Sequence, residues 1–350
     1  MDVRHGGDWA GFQARYGRPP LDFSASLSPL GLPEGVRRAV IAALKEADRY
    51  PDPQCRALRA RLGEYHHLSP EHILCGNGAA DLIFRLALAK KPARSLLLAP
   101  TFGEYERALE SVGSTVEHVF LEEKRDFQVT ESLLEQIKPG LDLLILCEPN
   151  NPTGQVTDRA LLLEILKRCG QTGTLLAVDE CFLDFLPCSQ ERSLISQIPT
   201  HKNLLIFRAF TKCCAMAGLR LGYALCGDSA LLKKMARMGQ AWGVSCVAQI
   251  AGLAALEEGE YLERLRALIE RERPRLQSGL EALGCRVIPG RANFLLLRSP
   301  VPNLTELLGE KGISVRCCGD FLGLDEDWYR VCVRTGEDNG RLLSAMREVM

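Results

Sequence analysis

Between residues 54 and 245, short apolar runs alternate with helix-like stretches. Ser95-Leu96-Leu97-Leu98-Ala99, Leu141 to Cys147, Thr174 to Val178, Asn203 to Arg208 and Leu221 to Cys226 have strand length and few polar residues. A strand with one wet face alternates, whereas one covered on both faces reads as a continuous apolar run. The pattern predicts an α/β fold with a largely parallel sheet between helices, whose ligands sit beyond the carboxyl ends of the strands. From 228 to 280 the chain reads as helical, with a long charged stretch from Glu257 to Arg275. Beyond Gly284 the units shorten. A strand at Phe294 to Leu297, a helix near Leu304 to Glu310, strands at Ile313 to Arg316 and Tyr329 to Arg334, and a closing helix from about Asp338 to Val349 are expected. We expect a large α/β domain over 46–245 beside a smaller α+β domain built from 1–45 and 246–350.

Composition changes this picture little. The 350 residues are 46% hydrophobic and 25% charged, which is ample for such a core. Lys+Arg number 43 and Asp+Glu 44, with basic residues scattered among acidic ones, so there is no electrostatic footprint for nucleic acid. There is no apolar run of membrane-spanning length, and the opening His5-Gly6-Gly7-Asp8 is unlike a signal peptide. A cytoplasmic protein with neither nucleic-acid nor membrane partners is expected. The 14 cysteines lie mostly in apolar runs, and Cys213-Cys214 and Cys317-Cys318 are adjacent instead of spaced as zinc ligands. His66, His67 and His72 have no thiolate or carboxylate spacing to complete a site. Free thiols, a reducing compartment and no metal follow as expectations.

Chemistry enters at Arg208-Ala209-Phe210-Thr211-Lys212, which continues through a small-residue loop to Arg220. One amine, a hydroxyl beside it and a guanidinium suit a cofactor that carries both an aldehyde and a phosphate. Asp179 ends the run Leu175-Leu176-Ala177-Val178, where a carboxylate can pair with a protonated ring nitrogen. Asn150-Asn151-Pro152-Thr153-Gly154 follows another strand, and Gly76-Asn77-Gly78-Ala79 precedes an apolar helix whose first N–H groups suit a phosphate. Each run has an ordinary alternative: a solvated lysine, a capping aspartate, a plain turn. Their joint order, with the chemical groups directly after apolar strands, selects the chemistry.

Read in that order, the runs resemble the fold-type I pyridoxal 5′-phosphate enzymes of the aspartate aminotransferase kind, over nearly the whole chain. The resemblance implies that Lys212 joins the cofactor aldehyde, Asp179 pairs with the ring nitrogen and Asn151 donates to the phenolic oxygen. It implies that the backbone at Gly78 and Ala79, with Thr211 and Arg220, holds the phosphate, and that Phe102 covers the pyridine face. Tyr50 resembles the tyrosine that reaches the neighbouring subunit's phosphate, which implies a homodimer with shared sites. Ala209 departs from the serine common there, removing one phosphate hydroxyl.

More local runs narrow the resemblance. They are His5-Gly6-Gly7-Asp8, Asp22-Phe23-Ser24-Ala25-Ser26-Leu27-Ser28-Pro29, Pro289 to Arg298, Tyr329 to Arg334, and Phe182 in place of a tyrosine. The set is similar to the threonine-phosphate decarboxylases of cobalamin biosynthesis, relatives of the histidinol-phosphate aminotransferases. It implies release of CO2 from L-threonine O-3-phosphate to leave (R)-1-aminopropan-2-yl phosphate. Arg330 is then expected on the substrate carboxylate, with Arg334, His5, the Gly6-Gly7 backbone and Arg291 toward the phosphate. Arg334 shares a face with Arg330 if the strand stays regular. Ser26 and Ser28 stand where relatives often have asparagine, which keeps L-serine O-phosphate as an alternative substrate. Histidinol-phosphate transamination is the other reaction the same residues could serve.

Overall fold

The computed structural model describes residues 5–350. After a helix at Trp9–Tyr16 and a short strand β1 (Leu21–Asp22), seven strands build the main sheet. They are β2 (Ile73–Gly76), β3 (Arg94–Ala99), β4 (Thr115–Phe120), β5 (Leu143–Cys147), β6 (Leu175–Asp179), β7 (Leu204–Ala209) and β8 (Gly222–Cys226). Their order is β2-β8-β7-β6-β5-β3-β4. β3 to β7 run parallel, while β8 is antiparallel to both neighbours.

The continuous apolar runs have the cause that their composition suggested. Leu144, Leu146, Leu176, Val178, Leu204 and Ile206 enter one buried cluster. The residues between them, including Leu143, Ile145, Leu175, Ala177, Leu205 and Phe207, enter another. Successive side chains point to opposite faces, and both faces are covered by helices. Each such leucine or isoleucine contributes about 1.5–3 kcal/mol through burial. The outer strand β4 differs: Glu117 pairs with Arg94 at 2.7 Å and Phe120 is largely exposed. A charged, half-wet edge carries no continuous apolar run, so the sequence pattern did not mark β4 as a strand.

Five short strands follow: β9 (Arg286–Val287), β10 (Phe294–Arg298), β11 (Ile313–Ser314), β12 (Arg316–Cys317) and β13 (Trp328–Cys332). Four form the antiparallel sheet β12-β13-β10-β9. β11 instead pairs in parallel with β1, Leu21 opposite Ile313. The run Ile313 to Arg316, read from sequence as one strand, is thus divided between two sheets at Val315. Three helices, Ser229–Arg237, Cys246–Ala255 and Gly259–Glu281, lie between the sheets in sequence. The closing helix, Gly336–Val349, starts two residues earlier than expected because Thr335 accepts the Asp338 N–H as its cap.

β3 has β4 on one side and β5 on the other, so the strand order reverses between β3 and β5. Beyond the carboxyl ends of the parallel strands lie Pro100–Gly103, Glu148–Gly154, Asp179–Phe182 and Phe210–Lys212. This is the crevice where open α/β sheets place ligands. No helix among the described residues is long and apolar enough to cross a membrane.

Candidate active site

Asp179 closes β6 with its carboxylate buried. Oδ1 accepts the Cys181 backbone N–H at 3.0 Å, and Oδ2 accepts the Tyr105 hydroxyl at 2.6 Å. Tyr105 lies on the helix Glu104–Glu110, and burial, then the Asp179 charge, pushes its phenol well above the usual range. Its ring meets Phe102 edge-on, centroids 5.5 Å apart. Sequence reasoning missed Tyr105, because a buried tyrosine two turns from a strand end carries no local signal of what its hydroxyl meets.

Lys212 follows β7 on the short helix Phe210–Cys213. Its backbone carbonyl accepts Ser28 N–H at 2.9 Å, so the N-terminal segment lies against it. Nζ lies 5.6 Å from the centroid of the Phe182 ring and has no hydrogen-bond partner among the described residues. Burial first, then the charges of Arg330 and Arg220, brings this amine down to about 8, while Asp179 opposes the shift. A lysine tuned in this way is partly neutral near physiological pH and can act as a nucleophile or proton carrier.

At the carboxyl end of β2 a corner is built largely from backbone. Gly78 has φ +85°, a conformation that favours glycine, and a Cβ there would lie 2.7 Å from Arg220 Nη2. Gly78 leads into the helix Ala79–Lys90. Gly222 lets β8 pass close by, since its Cβ would lie 2.7 Å from Ala79 N. Asp81 steadies the loop by accepting Asn77 N–H at 2.8 Å. Arg220 donates only weakly, to Ala217 O at 3.4 Å, and Thr211 Oγ1 has no hydrogen-bond partner among the described residues. A helix terminus, a guanidinium without a carboxylate and a spare hydroxyl fit a phosphate. With Asp179 and Lys212 also in the crevice, the donor set fits pyridoxal phosphate.

The arginines divide. Arg330, on β13, is buried and hydrogen-bonds to Asn151 Oδ1 and, at 2.9 Å, to Ser24 O, while its Nε has no partner. Burial pulls its guanidinium below the usual arginine range. Arg316, on β12, stands directly opposite Arg330 in the ladder. Cross-strand partners project to one face, so this pair presents two cations together. Arg316 is also held by Asp320, at 2.6 and 2.7 Å. Sequence reasoning saw the run ending at Arg316 but not the register that brings it to Arg330. Arg334 is not a continuation of that strand face, because β13 ends at Cys332. It donates to Asp338 Oδ2 at 2.9 Å and to Asp22 O at 3.1 Å.

The remaining predicted residues scatter. His5 meets Glu104 Oε1 at 2.9 Å and packs 5.6 Å from Phe102, beside the crevice. Gly7 N–H donates to Ser24 Oγ at 2.8 Å, and a Cβ on Gly6 would strike Ser24 O, so both glycines press against the segment that Arg330 holds. The Arg291 backbone donates to Gly154 O, but its side chain is exposed and makes no hydrogen bond or ion pair among the described residues. Tyr50 is 79% exposed and stacks on Trp242 at 4.4 Å.

Fold, crevice and donor set are those of a pyridoxal-phosphate enzyme, and the chain belongs to the aminotransferase class I and II family, whose model matches residues 19–346. Within it, the chain is 38% identical to a threonine-phosphate decarboxylase of Salmonella typhimurium, covering 94% of this chain and 91% of that protein. It is 35% identical to a histidinol-phosphate aminotransferase of Desulfitobacterium hafniense, covering 93% and 91% respectively. Among solved structures, the histidinol-phosphate aminotransferase from Clostridium acetobutylicum superposes with a TM-score of 0.86 at 28% identity, covering 93% of this chain and 98% of that one.

Proposed function

We propose that the chain decarboxylates L-threonine O-3-phosphate with pyridoxal phosphate, in cobalamin biosynthesis in the cytoplasm. The observation that carries the reading is the Arg316–Arg330 pair, two cations abreast at the crevice. A phosphorylated amino acid presents two anions at once, a carboxylate and a phosphate, which the pair can take together; histidinol phosphate brings one, and the keto acid that a transaminase needs brings its carboxylate in a separate step. Arginine suits both anions through its paired N–H groups. The 38% identity to a decarboxylase points the same way.

Pyridoxal phosphate supplies an aldehyde for the substrate amine and a cationic pyridine that withdraws electrons from Cα. Lys212, with its amine near 8, holds the cofactor until substrate arrives and returns a proton from Nζ to Cα after CO2 departs. Asp179 holds the ring nitrogen's proton, and Asn151 donates to the phenolic oxygen, a task for which Phe182 has no hydroxyl. Gly78, Ala79, Thr211 and Arg220 fix the phosphate, and Phe102 covers the ring. Arg330 takes the carboxylate. Arg316 takes the substrate phosphate, with His5, Gly6 and Gly7 closing over it. Arg334 and Arg291 serve at the margin, by field more than by contact. Orientation by these anchors sets which bond at Cα breaks.

The two-domain division at 46–245 belongs to the same proposal, as does a homodimer in which Tyr50 completes the other subunit's phosphate site. Its exposure and its stacking on Trp242 support that role. Product analysis tests the reaction: protein, pyridoxal phosphate and L-threonine O-phosphate without keto acid, followed by phosphorus NMR and CO2 release. Catalytic formation of aminopropanol phosphate is expected. Turnover of histidinol phosphate that requires a keto acid, with no CO2 from phosphothreonine, would transfer the protein to the aminotransferases. L-Serine O-phosphate is the second substrate to measure, because Ser26 and Ser28 make short walls there.

A further inference from the structure

A cavity of about 450 Å³ lies at the free edge of β2, between the helices Arg56–His66 and Ser229–Arg237. Two buried thiols line it, Cys55 just before the first of these helices and Cys75 on β2. Four cations line it as well: Arg59, Arg85, Lys233 and Arg237. The carboxylates against them are Asp52 and Glu71, and Asp52 is taken up by Arg56 at 2.6 Å. Lys233 and Arg237, one turn apart and exposed, make no ion pair or side-chain hydrogen bond among the described residues. The lining therefore carries an excess of positive charge. Cys55 holds the position where Ser, Thr, Asp or Asn usually caps a helix, yet its sulfur caps nothing, because Asp52 accepts the Arg56 N–H at 2.6 Å. The neighbouring Cys75 first, then Arg59 and Arg85, hold the Cys55 thiol below the usual range, against burial and the Asp52 charge. Every other thiol with a shift, Cys75 among them, is pushed up.

We propose that Cys55 is a modification site for small anionic disulfides of the glutathione type, with Cys75 as the thiol that resolves the adduct. The cavity gives room for one arm of the reagent, and its cations favour both the thiolate and the reagent's carboxylates. The Cys55 thiolate attacks one sulfur of the incoming disulfide; that S–S bond breaks, and one small thiol leaves with a proton from solvent. Cys75 then gives its proton to water and attacks the Cys55 sulfur, which forms the Cys55–Cys75 bond and expels the second small thiol. The two protein thiols lose two electrons and the incoming disulfide gains them. A pair of thiols that served packing alone would need neither the open volume nor the unpaired cations. The cavity shares no lining residue with the crevice, so the site stands whichever reaction the chain catalyses.

The test takes the reduced full chain, loaded with pyridoxal phosphate, and maps its thiols by mass spectrometry. Trypsin separates the two, since 50–56 and 62–85 each contain one cysteine. Oxidised glutathione is expected to add first to 50–56, and the adduct then gives way to a link between the two peptides. Cys75→Ser should stop the sequence at the adduct, and Cys55→Ser should abolish both products. The double substitution Lys233→Ala with Arg237→Ala should slow the addition about threefold to tenfold, and leave the rate with uncharged bis(2-hydroxyethyl) disulfide unchanged. Modification of the exposed Cys188 with none at Cys55, or at Cys55 only after urea, overturns the site. An adduct that never resolves in the parent chain overturns the role of Cys75. Equal slowing of both reagents, or of neither, overturns the role of the cations. Mapping of the parent chain decides the main point even where a variant fails to fold.

Discussion

The two halves of the crevice are built differently. On the side proposed for the cofactor, the key groups sit within a few residues of a strand end, and their partners are fixed by neighbouring strands and loops: Asp179 by Cys181 and Tyr105, Gly78 by the start of its helix. On the side proposed for the substrate, the groups come from distant parts of the chain: Arg330 reaches Ser24, Gly7 reaches Ser24, and Ser28 reaches across to Lys212. The first half is a socket made by the sheet. The second is assembled over it by segments whose positions depend on long-range pairing. The two halves meet at two points, where Arg330 bonds to Asn151 Oδ1 and Ser28 N–H to the Lys212 carbonyl, so a change in the assembled half is felt by the socket there.

The largest expected effect breaks the socket. Lys212→Ala should lower turnover by about a thousandfold or more, while phosphothreonine binding, followed by calorimetry, survives on the substrate side. Loss of both together would mean that the halves are not separable. Breaking the other half comes next: Arg330→Lys and Arg316→Ala should each raise KM for phosphothreonine about tenfold to a hundredfold, with cofactor affinity nearly unchanged in Arg316→Ala and lowered in Arg330→Lys, which loses the bond to Asn151. A selective fall in affinity for the substrate phosphate, read with L-threonine as a phosphate-free comparison, is expected for Arg316 and not for Arg330.

A smaller effect sharpens the electrostatics of the socket. Because the Lys212 amine is brought down to about 8, its neutral form grows as pH rises through that value. Capture of pyridoxal phosphate by the apo protein, timed by absorbance in stopped flow, should accelerate with pH and level off above about 8. A rate still climbing toward the ordinary lysine range would show that burial and the two arginines do not act as described.

The smallest effect lies behind the socket. Burial pushes the Glu148 carboxyl up to about 7, with the Glu180 charge adding to the shift and two Thr157 donors opposing it. The folded state therefore binds this proton more tightly than the unfolded chain, and stability falls as pH rises from the unfolded carboxyl range through about 7. Above that the cost is about 3 kcal/mol at most. Glu148→Gln should raise the unfolding midpoint at about pH 8.5 and change it little at about pH 5, with differential scanning calorimetry as the check. A uniform loss at both pH values would mean that the Thr157 hydrogen bonds outweigh the buried charge.

The same contrast explains what could be read without coordinates. The placement of Lys212, Asp179 and Asn151 beyond the carboxyl ends of strands was legible because a continuous apolar run followed at once by a chemical group is a local pattern, and local patterns survive in one dimension. The parallel core was legible for the same reason. Arg316 was not: whether it joins Arg330 depends on the register between β12 and β13 and on the break at Val315, neither of which leaves a trace in spacing. The expectation for Arg334 assumed a strand running past Cys332, but the chain turns into the cap of its last helix. Tyr105 was hidden because burial of a hydroxyl shows only when its acceptor is known. β8 runs against its neighbours although its composition matches theirs, since an apolar run carries no direction.

The pairing of β1 with β11 sets a condition on biosynthesis. Leu21 leaves the ribosome long before Ile313, its partner in the ladder. Until then the opening segment has no strand to join, and Ser24 has no Arg330 to meet. A nascent chain can complete its parallel sheet and still lack the enclosure above it, because such distant pairings form late and slowly. A chain ended between β8 and β11 would therefore carry the whole main sheet with Lys212, Asp179 and Arg220, and lack both the partner of β1 and Arg330.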